Sequence, residues 1–387
     1  MYSKNLLFVS ACLGMLAFGI VFISLGSIAP DLKSSLSLSD IEAGTLFSIL
    51  PVGVLLGSLV FGPLIDKSGY KILLASSCLL IFAGFEGIAF ASSKDLIKVW
   101  IFLTGLGGGA INGATNALVA DISEKNKGAS LSLLGVFYGI GALGTPLVIG
   151  LLREWYSFKT IFIVIGAFTF LLAVLFLSIS FPPPKQAQGF PLKKIASLLK
   201  ESVLWLLAFF LFFQSAFEGI INNWTTLFLT DYMDFNESAA LYGLSLFVGG
   251  MIVVRLLLGS VLRNLSTWSV MTGSFVLIFA GIIVLKTGSS FNMAASGLFI
   301  IGTGLGGGFP LMLGLAGERF SSLSGTAFSF ALVLALLGNT LINYSMGLIA
   351  ENFGVNHLTS VALVVLAAMI ILFTATRMKI KSQEIKK

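Results

Sequence analysis

The sequence contains two copies of one residue pattern. The hexapeptide Thr104–Gly109 returns unchanged as Thr303–Gly308, 199 positions later. Further matches lie 197 positions apart: Gly53 with Gly250, Gly62 with Gly259, Asp66 with Arg263, and Gly150–Glu154 with Gly347–Glu351. Separated matches at nearly one period indicate a unit of roughly 190 residues that is used twice. The fold must therefore accommodate two similar halves.

The composition places both halves in a lipid bilayer. Charged residues make up 10% of the 387 and hydrophobic residues 57%, and the mean hydropathy is +1.01. A soluble domain carries about 25% charged residues. Twelve apolar stretches are each long enough to cross about 30 Å of hydrocarbon. These stretches, which we name spans one to twelve, fall near 6–29, 40–64, 71–92, 96–120, 129–152, 157–181, 201–230, 238–261, 267–286, 291–317, 323–350 and 355–377.

The duplication divides the twelve spans into two sets of six. We predict an all-α integral membrane fold, with one pseudo-symmetric six-helix bundle in residues 1–181 and another, followed by a short cytoplasmic tail, in 201–387. Residues 182–200 hold four prolines and four lysines and cannot insert, so they are predicted to form a cytoplasmic linker. Paired repeats of this kind are typical of transporters whose solute site lies between the halves.

The distribution of positive charge predicts the topology. With the N-terminus inside and the spans alternating, 17 of the 23 Lys and Arg residues lie on the cytoplasmic side. This bias matches the positive-inside rule and places both termini in the cytoplasm. The net charge of +6 is then a topology signal, so nucleic acid is not an expected partner. We expect a monomer in a prokaryotic inner (plasma) membrane, with a small-molecule substrate and the bilayer as its partners.

The sequence offers no site for enzymatic or metal chemistry. Cys12 and Cys78 lie inside spans, and the single histidine, His357, falls in the last outer loop without ligand partners. The Gly-rich repeats do not follow a strand, which excludes a nucleotide-binding interpretation. We therefore predict that the protein is not an enzyme and needs no cofactor beyond a proton or sodium as coupling ion.

The loop after span two carries the motif that identifies a family. Gly62–Lys71 reads Gly, three residues, Asp, a basic residue, any residue, Gly, any residue, basic. It resembles the signature loop of the major facilitator superfamily, which implies the major facilitator fold, alternating access and a cytoplasmic gate. The predicted gate residues are Gly62, Asp66, Lys67, Gly69, Lys71, Asp121, Arg255, Arg263 and Glu318. The alternative role for Arg255 is to anchor an anionic substrate.

Two further stretches resemble one branch of that superfamily. Gly105–Asn116 and Phe213–Trp224 are similar to stretches of the fucose/glucose/galactose proton symporters, which implies a monosaccharide substrate. The chain departs from that branch in two places, because Asn112 stands where an acid is expected and span one carries no charge. The proton relay of the fucose-type proteins does not transfer. Span four also lacks the Arg of the drug–proton antiporters, so drug export ranks lower.

Polar residues inside the spans are the candidate site. Gln214, Glu218 and Asn222 are spaced by four and share one face of span seven. Amides and an acid in mid-membrane can bind hydroxyl groups, and a buried acid indicates function by default. The predicted substrate-binding residues are Asn112, Asn116, Tyr138, Gln214, Glu218, Asn222, Trp224, Asn339 and Asn343. Glu218 and Glu86 are the predicted proton-coupling residues; the alternative for each is an interhelical hydrogen bond or, for Glu86, a place at the outer interface.

These patterns together predict a secondary active transporter. We expect alternating access for a small neutral hydroxylated solute, with a monosaccharide as cargo and proton symport as mode. Two alternatives stay open, an exporter of drugs or metabolites and a membrane receptor or scaffold that does not transport.

Overall fold

A computed structural model describes residues 3–91, 93–123, 127–182, 200–259, 265–320 and 324–384. The chain divides into two compact units, Met1–Gln188 and Gly189–Lys387. Most of the predicted linker and the gate residue Arg263 lie outside the described residues.

Both units are helical, and the described residues form no strand. In the first unit the helices are Lys4–Ser27, Ala29–Ser35, Asp40–Phe90, Lys94–Ile122, Lys127–Leu152 and Phe158–Ser178. In the second unit they are Ser202–Leu227, Glu237–Gly259, Thr267–Thr287, Phe291–Leu305, Gly308–Arg319, Ser324–Phe353 and Leu358–Glu384. The described residues contain twelve segments long and apolar enough to cross a membrane, which confirms the twelve predicted spans.

Helix starts are set by local capping. Ser39 begins the helix of spans two and three, accepting from the backbone N–H of Glu42 while the Glu42 carboxylate accepts from the N–H of Ser39. This reciprocal pair is a capping box. Ser157 and Ser290 cap the starts of spans six and ten in the simpler way. At these three starts, a serine between two apolar runs therefore sets where the span begins.

Close glycine contacts join spans two and four in the first unit and spans eight and ten in the second. A Cβ added at any of six glycines would overlap a backbone atom of the facing helix. The overlapped residues are Phe102 for Gly53, Leu50 for Gly105, Val54 for Gly109, Phe299 for Gly250, Phe247 for Gly302 and Met251 for Gly306. Each second-unit pair lies 197 positions after its first-unit counterpart, so the two units are built on the same helix–helix contacts.

This equivalence corrects the register of the repeated hexapeptide. A Cβ at Gly84 would meet the Thr104 side chain, whereas a Cβ at Gly281 would meet Ile301. Thr104 is therefore the structural counterpart of Ile301, and not of Thr303 as the identical hexapeptides imply. The structural period is 197, and the match at 199 is two residues out of register because glycine-rich segments align with themselves at several offsets.

Candidate solute-binding site

In the first unit, Asn112 and Asn116 share one face of span four and are both partly exposed. The Asn116 amide donates to the backbone oxygen of Asn112 at 2.8 Å and to its side-chain oxygen at 3.1 Å. The structure brings the two amides together as the four-residue spacing predicts. Within this pair Asn116 donates, and Asn112 accepts through both of its oxygens.

Aromatic rings from spans one and five lie beside this polar pair. The Tyr138 ring is 5.5 Å from the Phe18 ring and 6.5 Å from the Phe22 ring, measured between centroids. Phe18 also comes close to span four, because a Cβ at Gly108 would lie 3.3 Å from its ring. The sequence analysis named Tyr138 and missed both phenylalanines, although the four-residue spacing of Phe18 and Phe22 was the available signal.

Glu86 lies in a different part of the first unit. It lines a cavity of about 440 Å³ near the C-terminal end of span three, with Ala83, Gly87, Phe90, Ala91, Leu96 and Trp100. Its carboxylate also packs against span six, where a Cβ at Gly166 would lie 2.6 Å from Oε1. Asn112 is twelve residues beyond Trp100, or about 18 Å along the helix axis. The structure does not bring Glu86 to the Asn112 pair, and its coupling role stays a prediction.

In the second unit, a row of polar groups runs along span seven. Gln214, Asn222 and Thr225 are at most 2% exposed, and Glu218 between them is partly exposed. Gln214 Oε1, Asn222 Oδ1 and Thr225 Oγ1 have no hydrogen-bond partner among the described residues. Thr225 extends the predicted row, and its distance of three residues from Asn222 was the signal the sequence analysis missed.

Asn339 and Asn343 hold span eleven to span seven. Asn339 Nδ2 donates to the Ser215 carbonyl at 3.0 Å, and Asn343 Nδ2 donates to Asn339 Oδ1 at 2.9 Å. Asn223, which the sequence analysis did not single out, donates to Asn343 Oδ1 at 3.1 Å. Both predicted solute ligands are at most 1% exposed. Their amides therefore serve helix–helix contact in this conformation, because buried polar groups must be satisfied within the bundle.

Trp224 is also placed differently from the prediction. Its side chain is fully buried. The ring face that was expected to stack on a solute is covered by protein in this conformation, so Trp224 acts here as packing.

The predicted gate residues of the first unit whose side chains are described, Gly69, Lys71 and Asp121, lie at the ends of spans two to four. Gly69 has φ 74°, a backbone conformation that strongly favours glycine, and it breaks the helix between spans two and three as expected. Asp121 accepts a 2.7 Å hydrogen bond from Tyr70, a partner the sequence analysis missed. Lys71 is exposed. The side chains of Gly62, Asp66 and Lys67 lie outside the described part of the structure.

Of the predicted gate residues in the second unit, the structure describes Arg255 and Glu318, and no hydrogen bond or ion pair joins these two. Glu318 is exposed, and its neighbour Arg319 donates to Gln383 near the end of the chain. Arg255 donates through Nε to the backbone oxygen of Gly306 at 3.2 Å. Its hydrogen-bond partner is thus a backbone carbonyl of span ten.

Metal and thiol chemistry find no support in the described residues. No group of three or more His, Cys, Asp or Glu side chains could hold a metal ion there. Cys12 and Cys78 are buried free thiols, and His357 lies next to Asn356.

Comparison with known proteins agrees with this architecture. The family model of the Major Facilitator Superfamily matches residues 7–341. The glucose/mannose transporter GlcP of Bacillus subtilis is 27% identical over 346 residues, which cover 85% of this chain and 84% of GlcP. The multi-drug resistance efflux pump PmrA of Streptococcus pneumoniae is 26% identical over 180 residues, covering 46% of this chain and 45% of PmrA.

A solved structure shows the same fold at lower identity. The crystal structure of the nucleoside transporter NupG superposes with a TM-score of 0.79 at 15% identity, covering 98% of this chain and all of NupG. A family match over most of the chain, twelve spans and a shared fold lead to one conclusion. The chain belongs to the Major Facilitator Superfamily and is a multi-pass membrane transporter, not an enzyme.

Proposed function

We propose that this protein carries a small neutral hydroxylated solute, most simply a monosaccharide, across the inner (plasma) membrane by alternating access. Transport is coupled to protons through Glu218, and both termini lie in the cytoplasm. The observation that carries the proposal is the row of oxygen atoms on span seven. Gln214 Oε1, Asn222 Oδ1 and Thr225 Oγ1 are buried with no hydrogen-bond partner in the described part of the chain. They share one helix face with the carboxylate of Glu218.

Unpaired buried acceptors favour a ligand that donates hydrogen bonds. Leaving such an atom unsatisfied costs about 1–3 kcal/mol, so a hydroxyl that donates to it restores stability. The unpaired atom of Gln214 is its acceptor Oε1, because one N–H of its Nε2 already donates to the Leu305 carbonyl at 2.8 Å. A sugar supplies several donors at once. The whole-length similarity to a glucose/mannose transporter supports this substrate class.

Glu218 is the group best placed to carry the proton. It is the only charged residue between Ser202 and Leu227 and lies near the middle of span seven. A neutral sugar that moves with one proton transfers net charge, so transport by the wild type generates a current.

The test is substrate-evoked current in proteoliposomes, across a panel of monosaccharides and polyols, for wild type, Glu218→Gln and Glu201→Gln. Glu201 is an exposed acid just before the same helix and serves as the matched control. We expect current in wild type and Glu201→Gln, and solute exchange without current in Glu218→Gln. An undiminished current in Glu218→Gln would remove Glu218 from coupling.

Export is the second candidate, and the similarity of about half the chain to an efflux pump favours it. Folded protein that moves none of the sugars, but confers drug resistance on expression, would replace the sugar proposal with this one.

A further inference from the structure

The helix of span ten is broken, and at the break a backbone carbonyl lacks its usual N–H donor. Its first helix ends at Leu305 and its second begins at Gly308. Pro310 has no N–H and stands four residues after Gly306, so it cannot make the helical hydrogen bond to the Gly306 carbonyl. Helical bonding resumes with the N–H of Leu311 on the Gly307 carbonyl at 3.2 Å.

Side chains from two other spans bind the carbonyls at this break. Arg255 of span eight donates through Nε to the Gly306 oxygen at 3.2 Å. Gln214 of span seven donates to the Leu305 oxygen at 2.8 Å and packs against Gly308, where a Cβ would lie 2.8 Å from Cδ. The break is thus held from two sides by groups that replace missing backbone donors.

The first unit contains the same contact without the break. Ser58 and Gly109 lie 197 positions before Arg255 and Gly306, and Ser58 donates to the Gly109 oxygen at 3.3 Å. Gly113 occupies the position equivalent to Pro310, and the helix Lys94–Ile122 is continuous. A hydrogen bond from a side chain to this carbonyl is therefore present in both units. Only in the second unit is the side chain positively charged, and only there does it replace a backbone hydrogen bond that a proline cannot make.

Glu218 stands one helical turn after Gln214, and Gln214 and Arg255 bind the adjacent carbonyls of Leu305 and Gly306. The charges of Arg255 and Glu218 therefore lie in the same part of the second unit. Spans eight, eleven and twelve and the second helix of span ten all pack against span seven. Spans eleven and twelve bring no charge before Glu351 and Arg377 near their ends, and the second helix of span ten brings only Glu318 and Arg319, in its last turn. Span eight brings Glu237 in its first turn and Arg255 near its other end. Among the charges of these packed segments, Arg255 is the one beside the contact of Gln214 with Leu305.

We propose that Arg255 is a positioning residue that links the charge on Glu218 to the bend of span ten. An ionised carboxylate binds a guanidinium more strongly than a neutral carbonyl does. Ionised Glu218 therefore draws Arg255 away from Gly306 and loosens the break, whereas protonated Glu218 leaves Arg255 on the carbonyl and holds it. The inference rests on the proposed function only in taking Glu218 as the group that gains and loses the proton.

The first test is a double-mutant cycle between Arg255 and Pro310, read by amide hydrogen exchange in the first turn of the second helix of span ten. Arg255→Met should speed exchange about tenfold in the wild-type background. In Pro310→Ala the new N–H satisfies the Gly306 carbonyl, so the same change should have less than about a twofold effect. Ser58→Ala is the matched control, and span four should not respond because Gly113 keeps its N–H. Equal acceleration in both backgrounds would overturn the role of Arg255 at the break.

The second test is the pH dependence of the same protection factors, corrected for intrinsic exchange. Protection should fall as pH rises through the titration of Glu218, and Glu218→Gln should stay protected throughout. This test needs no Arg255 variant, so it decides the proposal even if Arg255→Met does not fold. An identical pH profile in wild type and Glu218→Gln would refute the link. Because exchange needs no solute, this result is independent of whether the protein carries a sugar.

Discussion

The contact of spans eight and ten yields a quantitative test of the packing argument. A Cβ at Gly302 would overlap the Phe247 carbonyl oxygen and lie 2.9 Å from the carbonyl carbon of the same residue. A backbone atom cannot rotate away as a side chain can, so we take the upper end of the usual overpacking cost, about 3 kcal/mol. Alanine in place of glycine also stabilises the helix by about 1 kcal/mol, because its helix propensity is higher. Gly302→Ala should therefore lose about 2 kcal/mol.

The measurement is thermal unfolding of the purified protein in detergent. For a unit of about 200 residues, 2 kcal/mol corresponds to a fall in Tm of about 4–8 °C. Gly273→Ala is the control, because a Cβ there would meet nothing within 4 Å. It gains helix propensity without overlap and should unfold no lower than wild type. Gly105→Ala, the first-unit counterpart, should behave like Gly302→Ala. If Gly302→Ala and Gly273→Ala unfold at the same temperature, the packing argument is wrong.

Two other contacts lead to predictions that can be tested separately. Asn339→Ala should lower the free energy of unfolding by about 1 kcal/mol, because it removes the hydrogen bond to Ser215. If the variant instead binds solute more weakly at an unchanged Tm, Asn339 is a solute ligand. Asp31 and Arg153 form a 3.1 Å ion pair with side chains 20% and 14% exposed, so Asp31→Ala should cost about 1.5 kcal/mol in the same assay. Exchanging Asp31 and Arg153 with each other should recover most of the lost stability. If the exchanged protein instead shows the sum of the losses of the two single substitutions, the pairing is wrong.

Predictions that depend on local pattern alone were confirmed. The twelve spans follow from apolar length, because a helix that crosses a bilayer must satisfy its own backbone groups and needs only a run of apolar residues. The turn at Gly69 follows from the one residue type that tolerates its positive φ. The shared face of Gln214, Glu218 and Asn222 follows from helical periodicity.

The side-chain partners could not be read from the same patterns. Asn339 and Asn343 have the four-residue spacing of Asn112 and Asn116, yet one pair is buried between helices and the other is partly exposed. Spacing reports which residues share a face of a helix, and only the neighbouring helix decides whether that face meets protein or a cavity.

By itself the sequence determined the duplication, the membrane class and the polar row of span seven, because hydrophobicity and periodicity are properties of each segment. Only the tertiary structure decided that the glycine-rich hexapeptides also follow the 197-residue period, that Trp224 is covered, and that Arg255 binds the Gly306 carbonyl. The physical reason is that a backbone carbonyl freed by a proline has no fixed partner in the sequence. Its partner is whichever donor the packing of another helix brings within hydrogen-bond distance.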